Sequence, residues 1–191
     1  IFAMYPFMCL WDVAAWKMVF TAPNASRLWG PELFLIRLAG EAVNNVTPVL
    51  DVGGEPLKAA LATKRFGVSK IAASASCVLG RTALFLAEVV FILLGLLCSF
   101  FFLPLPSPWP WVFLAAAVTF LGLGVAFILF QKKGLVAALL RFVHGFQPKL
   151  GLLERFHISS KKIDEEIASF YTREKNRFLW ATLLHLAGWG A

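Results

Sequence analysis

The sequence predicts an all-α fold: a polytopic transmembrane helical bundle with a re-entrant helical hairpin and a cytoplasmic amphipathic helix. Of the 191 residues, 59% are hydrophobic and only 15% are charged, and the mean hydropathy is +0.74. Phenylalanine outnumbers tyrosine by 19 to 2, which suits a hydrocarbon solvent. A soluble domain of this length cannot hide so much apolar surface, so lipid must cover part of it.

Two segments have the composition of a membrane-spanning helix, which needs roughly 20 mostly apolar residues. The first is a long helix over residues 69–103, whose apolar stretch carries a single charge, Glu88. The second covers residues 109–130 and carries no charge. These two segments are therefore the core of the membrane prediction.

The two ends of the chain are weaker candidates. We predict a transmembrane helix over residues 1–20, although this segment carries Asp12 and Lys17. Residues 177–191 are predicted to begin a further transmembrane helix. Because the chain starts without methionine and stops inside an apolar run, we interpret it as a piece of a longer protein.

The distribution of positive charge predicts the orientation. The loop "PLPSPWP" between the two clear spans is uncharged, whereas residues 131–176 and "TKRFGVSK" at 63–70 are rich in Lys and Arg. Positively charged loops stay cytoplasmic, so we place both basic segments inside. Within 131–176 we predict an amphipathic helix that starts near Ser160, because Ile163 and Ile167 fall at helical spacing between charges.

The net charge of +7 follows from this topology and predicts the partners. We expect a multi-pass protein of the cell inner (plasma) membrane that contacts anionic or phosphate-bearing lipid headgroups. Nucleic acid is not an expected partner; a second copy of the chain or a lipid-synthesis enzyme is. The cysteines and histidines show no metal-ligand spacing, so we predict no cofactor, no metal site and no catalytic residue.

One polar, helix-breaking stretch needs its own explanation: "GEAVNNVTPVLDVGGEPLKAAL", residues 40–61. Both of its flanks are basic, and a single crossing would put one flank outside. We therefore predict a re-entrant hairpin over residues 31–66 that enters and leaves the bilayer on the same side. Pro48 ends the first half-helix, Pro56 suits the first turn of the second, and the glycine pair between them permits a tight turn.

The turn of this hairpin predicts a pocket for a lipid headgroup. The second half-helix starts at about Glu55, where unpaired N–H groups and a positive dipole end attract anions. Broken helices in transporters place their binding sites in this way. Amides and hydroxyls would supply neutral hydrogen bonds, Lys58 positive potential, and the carboxylates a partner for a cationic or hydroxyl-bearing group. The predicted headgroup-binding residues are Glu41, Asn44, Asn45, Thr47, Pro48, Asp51, Gly53, Gly54, Glu55, Lys58, Arg81 and Glu88.

A structural alternative remains open for the same residues. The charges would then only satisfy one another, with Arg37 pairing to Glu41 and Glu55 to Lys58 within their helices. Arg81 either extends to the membrane interface or neutralises the hairpin carboxylates. Ionisable groups inside a membrane cost several kcal/mol unless they are paired or hydrated, which favours the functional interpretation.

These motifs resemble a known family. The hairpin sequence, followed by "GVSKIAASASCVLGRT" and a long apolar span, is similar to the flippase-like membrane domain of the lysylphosphatidylglycerol synthase family, which is related to hopanoid-associated membrane proteins. The resemblance covers about residues 1–190, with specific motifs only in 40–81. It implies an inner-membrane protein with re-entrant helices that handles phospholipids or polyprenyl lipids, here as a fragment without the soluble synthase domain. The matching positions are Asn44, Asn45, Pro48, Gly53, Gly54, Glu55, Lys58 and Arg81.

Three functions stay open at this point. The favoured one is a lipid flippase or headgroup-binding transporter for phospholipid, aminoacyl-phospholipid or polyprenyl- or hopanoid-type lipid. The second is the membrane-embedded part of a lipid-modifying transferase, similar to a phosphatidylglycerol lysyltransferase, with Glu41, Asp51 or Glu55 as base or metal ligand. The third is a non-catalytic scaffold for lipid synthesis. The dispersed histidines weaken the second: His144, His157 and His185.

Overall fold

The computed structural model describes residues 4–21, 30–46, 53–103, 106, 108–132, 134 and 153–190. Within these residues the chain is all helical and contains no strand, which confirms the all-α prediction. The helices, in chain order, are α1 (Met4–Met18), α2 (Gly30–Val46), α3 (Glu55–Phe66), α4 (Lys70–Phe102), α5 (Trp109–Lys132), α6 (Leu153–Arg173) and α7 (Lys175–Gly190).

Two helices of the described part are long and apolar enough, by length and composition, to cross a membrane: α4 and the stretch Trp109–Gln131 of α5. Only 11% and 6% of their most apolar windows are buried inside the protein. The core helix of a soluble protein would be mostly buried, so these two helices present their apolar side chains outward. Phe101, Phe102 and Trp111 each leave more than two thirds of their surface uncovered.

The two end segments fold as shorter helices that pack against each other. Helix α1 has 15 residues and α7 has 16, lengths of about 22–24 Å that fall short of the roughly 30 Å hydrocarbon core. A Cβ atom on Gly188 of α7 would lie 3.0 Å from Trp11 Cβ of α1, so the two helices approach closely. Whether either segment crosses the bilayer stays a prediction.

Helices α2 and α3 form an antiparallel pair. At one end, Arg65 Nη2 near the end of α3 lies 2.5 Å from Glu32 Oε1 near the start of α2. At the other end, the backbone N–H of Gly54 donates to Asn44 Oδ1 at 2.6 Å. Helix α3 ends at Gly67, which adopts the left-handed conformation (φ 67°) that favours glycine. The pair has the shape of a helical hairpin, and its re-entry into a membrane stays a prediction.

The core lies against the first half of α4. The Ser69 side chain caps this helix by accepting a hydrogen bond from the backbone N–H of Ala72 at 3.1 Å. The buried positions that follow are small, including Ala73, Ala75 and Ser76, and they let α1, α3 and α7 approach. Small side chains at helix contacts permit the close packing on which membrane helices depend.

Helix α6 begins at Leu153, earlier than the predicted start near Ser160. A chain of buried hydrogen bonds connects this helix to α5 and α4. The Tyr171 hydroxyl donates to Gln131 Oε1 at 2.5 Å, and Gln131 Nε2 donates to Thr82 Oγ1 at 2.6 Å. Burial raises the pKa of the Tyr171 hydroxyl to about 12, so it stays a neutral donor at physiological pH. The predicted cytoplasmic side of α6 is untested by these contacts.

Candidate functional site

A polar cleft lies where α1, α2, α3, α4 and α7 meet. It has an empty volume of about 450 Å³, including the space at its open side. Among the described residues, the charged side chains that line it are three carboxylates and three cations: Asp12, Glu41, Glu55, Arg37, Lys58 and Arg81. Asn44 and His185 add neutral polar groups. So many ionisable groups in one cleft of a mainly apolar chain make it the candidate functional site.

The two half-helices of the hairpin touch at Gly40 and Gly54. A Cβ atom on Gly54 would lie 2.0 Å from the carbonyl oxygen of Gly40, which no real contact tolerates. The buried Asn44 accepts the Gly54 N–H. Glycine is therefore required at position 54 by the approach of two backbones, and this contact holds the start of α3 against the cleft.

Glu55 stands in the first turn of α3 between two cations. Its Oε1 lies 2.7 Å from Lys58 Nζ and 3.8 Å from Arg81 Nε. The Lys58 pair is an ion pair without hydrogen-bond geometry: within the described residues, neither carboxylate oxygen receives a hydrogen bond, and both are buried. Lys58 Nζ also lies 5.4 Å from the centre of the Trp16 ring. The Glu55 carboxylate thus retains acceptor capacity for an O–H or N–H group in the cleft.

A second set of interacting polar side chains in the cleft is centred on Arg37 and Asp12. Arg37 forms an ion pair with Asp12, and its Nη1 lies 3.8 Å from Glu41 Oε2. The Nδ1 atom of His185 lies 2.9 Å from the other carboxylate oxygen of Asp12. Arg37 Nη1 also donates to the Cys9 thiol at 3.2 Å. One carboxylate therefore orients both a guanidinium and an imidazole at the cleft.

The structure brings together part of the predicted set. Five of the predicted residues line the cleft, and Gly54 packs against the Gly40 backbone next to it. The five are Glu41, Asn44, Glu55, Lys58 and Arg81.

Other predicted residues are placed elsewhere. Gly53 lies in the turn before α3, Asn45 is exposed, and Glu88 is half-buried on α4 outside the lining of the cleft. Thr47, Pro48 and Asp51 lie outside the described residues.

The structural alternative also receives support, because both predicted pairs are formed. Arg37 contacts Glu41, and Lys58 contacts Glu55. These pairs do not use all of the polar capacity, since the Glu55 oxygens accept no hydrogen bond in the described part of the molecule. The pairing and the binding interpretations are thus compatible: the ion pairs position the side chains, and the unfilled acceptors remain for a guest.

Sequence reasoning missed Asp12 and His185 as members of the site. The charge of Asp12 within an apolar segment was the available signal, because an ionisable group in such a segment marks a functional candidate. His185 gave no such signal, since its neighbours in the sequence are apolar and Asp12 is 173 positions away.

The described residues offer no metal centre. No group of three or more His, Cys, Asp or Glu side chains there is arranged to hold an ion. The charged and polar side chains of the cleft can form ion pairs and hydrogen bonds with a polar guest.

Comparison with known proteins gives one positive result. The family model described as the lysylphosphatidylglycerol synthase TM region matches residues 1–191, the whole chain. No curated protein matches, and no solved structure matches.

Proposed function

The chain belongs to the lysylphosphatidylglycerol synthase TM-region family, and on that premise we propose that it binds the phosphate-bearing headgroup of a membrane lipid in the polar cleft and moves the lipid between leaflets. The family makes it a membrane protein of lipid metabolism or transport. The transport step and the bacterial inner membrane as its location are part of the proposal.

The observation that carries the proposal is the state of Glu55. Both of its oxygens are buried; within the described residues they lie beside Lys58, Arg81 and the Cys77 thiol, and neither oxygen meets a donor at full hydrogen-bond geometry. A phosphate oxygen suits the two cations, and a headgroup hydroxyl suits the carboxylate. Phosphoglycerol has both a phosphate and hydroxyl groups. Its phosphate would pair with Lys58 and Arg81, and a hydroxyl would donate to Glu55.

The start of α3 supports the same assignment. The helix has 12 residues, with Glu55 and Pro56 in its first turn. Its first N–H groups have no intrahelical partner, and the dipole makes this end positive. An anion near Arg81 would therefore meet favourable potential from the helix end as well as from the side chains.

The apolar surface supports a lipid ligand over a soluble one. Phe7 and Leu10 on α1, and Leu179 and Leu183 on α7, are exposed on helices that also border the cleft. Acyl chains would stay in the bilayer against such surfaces while the headgroup enters the cleft. We further propose that the α2–α3 pair is the re-entrant hairpin that presents the cleft to the bilayer.

The test is lipid movement in proteoliposomes that carry a fluorescent phosphatidylglycerol analogue. Glu55→Gln keeps the size of the side chain but removes its charge, and Arg81→Ala removes one cation. Each loses a charge-assisted interaction worth about 1.5–3 kcal/mol, so we expect movement to slow by about tenfold or more.

Arg65→Ala is the matched control. Its side chain is 66% exposed and pairs with Glu32 on the same hairpin, away from the cleft. We expect its rate to stay within about twofold of wild type, because exposed ion pairs contribute little. Unchanged movement in both cleft variants, with normal reconstitution, contradicts the assignment.

A further inference from the structure

His185 is a buried imidazole with an unused nitrogen in the cleft. Only 5% of its side chain is exposed, and its Nδ1 atom lies 2.9 Å from Asp12 Oδ1. Its Nε2 atom is buried and has no hydrogen-bond partner among the described residues. An unpaired buried polar atom is unfavourable, and a ligand that pairs with Nε2 would remove that penalty.

The net charge of the described cleft depends on the protonation state of His185. The three lining carboxylates and three lining cations cancel while His185 is neutral, and its protonation leaves the cleft with one net positive charge. Histidine is the side chain whose unperturbed charge changes between about pH 5 and 8. The Asp12 carboxylate beside Nδ1 fixes the orientation of the ring, so that Nε2 is the nitrogen left for a ligand.

We propose that His185 links headgroup binding to the uptake of one proton: as a monoanionic phosphodiester enters the cleft, the imidazole takes a proton from water, and its Nε2–H donates to a phosphate oxygen. The proton returns to water when the headgroup leaves. This inference rests on the proposed function, since it concerns the ligand of the same cleft. It identifies the substrate class as lipids whose headgroup carries one net negative charge.

The charged groups around His185 come from every helix that borders the cleft, and any carboxylate among them is a rival proton acceptor. Glu41→Gln therefore tests a rival acceptor, and Glu32→Gln, away from the cleft, is the control. The charged groups that line the cleft with His185 are Asp12 on α1, Arg37 and Glu41 on α2, Glu55 and Lys58 on α3, and Arg81 on α4.

The experiment measures binding of short-chain phosphatidylglycerol to the whole chain in phosphatidylcholine nanodiscs, by calorimetry from pH 5 to 9. Repeating it in buffers of different ionisation enthalpy gives the number of protons taken up. For wild type we expect uptake that approaches one proton, and affinity that falls by up to about tenfold per pH unit on the alkaline side.

For His185→Gln we expect no proton uptake and an affinity that does not change with pH. For Glu32→Gln, which lies away from the cleft, we expect the uptake of wild type. Loss of the uptake in Glu41→Gln, with the uptake retained in His185→Gln, would assign the proton to Glu41 and overturn this inference. Glycerophosphoglycerol, the same headgroup without acyl chains, should bind at least about tenfold more weakly than the lipid, because it buries no apolar surface. Equal affinity of the two would make the cleft a site for soluble phosphodiesters and overturn the lipid assignment.

Binding of the lipid by wild type with no proton uptake overturns this inference and leaves the proposed function standing. The same holds if His185→Gln retains the uptake of wild type. Absence of lipid binding at every pH overturns both. The wild-type measurement can overturn the inference even if the histidine variant does not fold.

Discussion

The two halves of α4 differ in what surrounds them. In its first half, residues 70–89, the buried side chains are mostly small, such as Ala73, Ser76 and Ala83, and five other helices pack around the helix as a whole. In its second half, residues 90–102, large side chains are exposed, with Phe102 at 83%. A single continuous helix therefore passes from a protein environment to one that must be supplied by lipid or by protein outside the described residues.

This difference shows which part of α4 can accommodate charged and polar side chains. The cleft borders the first half at Cys77 and Arg81, where neighbouring helices supply ion-pair and hydrogen-bond partners. Twenty residues along from Cys77, at Leu97, the opposite face of the helix borders an apolar groove shared with Trp111 of α5. Small residues and paired charges are typical of surfaces that contact protein. Large exposed apolar side chains are typical of surfaces that contact hydrocarbon.

The largest effect is expected where the packed region is tightest. Gly54→Ala places a Cβ atom 2.0 Å from the Gly40 carbonyl oxygen, so the α2–α3 pair must separate. We expect a loss of about 3 kcal/mol or more in the free energy of unfolding, measured by denaturation in mixed micelles.

Gly30→Ala is the control for this variant, because Gly30 also stands at a helix start and a Cβ atom there meets no atom of the described residues within 4 Å. It should unfold close to wild type. Equal stability of the two variants would show that the close backbone contact does not exist.

A charged residue introduced into the second half of α4 tests whether water or hydrocarbon surrounds it. Leu94 is 48% exposed, and on a water-facing surface Leu94→Arg would be nearly neutral. In hydrocarbon, the exchange of Leu for Arg costs about 3 kcal/mol on insertion scales. We therefore expect a marked fall in the membrane-inserted fraction of the full chain, whereas Leu94→Phe inserts as wild type. Normal insertion of the arginine variant would remove this half of α4 from the bilayer.

The smallest effect compares two glycines of the same helix. Gly95→Ala in the exposed half meets no neighbour within 4 Å, so the better helix propensity of alanine should stabilise the protein by up to about 1 kcal/mol. Gly80→Ala in the packed half brings a Cβ atom to 3.3 Å from Trp16 Cδ1, and this crowding should cancel the gain. Denaturation curves that order the two variants the other way would contradict the division of α4.

Part of this fold follows from local sequence. Hydropathy alone is sufficient for α4 and α5, because long apolar runs with at most one charge have few alternatives. The break between α2 and α3 follows from proline and glycine chemistry, and it focused attention on Glu55 and Lys58, which line the cleft. These features depend on neighbours within a few residues, which a single sequence displays.

The remainder depends on which helices meet, and no local pattern states that. Asp12 and His185 join one site only because α1 and α7 both pack beside the hairpin. Arg81 had two predicted environments, and the placement of α3 against α4 sets it 3.8 Å from Glu55. The earlier start of α6 was missed because the apolar spacing used for the prediction lies in its second half.

The length of α4 bears on how deep the cleft lies. Its 33 residues extend about 50 Å, and even a steep tilt of about 40° leaves roughly 38 Å along the bilayer normal, more than the roughly 30 Å of hydrocarbon. The overhang belongs to the end that carries Lys70, since the other end is uniformly apolar. For a helix close to the bilayer normal, counting about 20 residues back from Phe102 would bring Arg81 to the edge of the hydrocarbon, next to the phospholipid phosphates. A headgroup would then enter sideways from its own leaflet, without first sinking toward the bilayer centre.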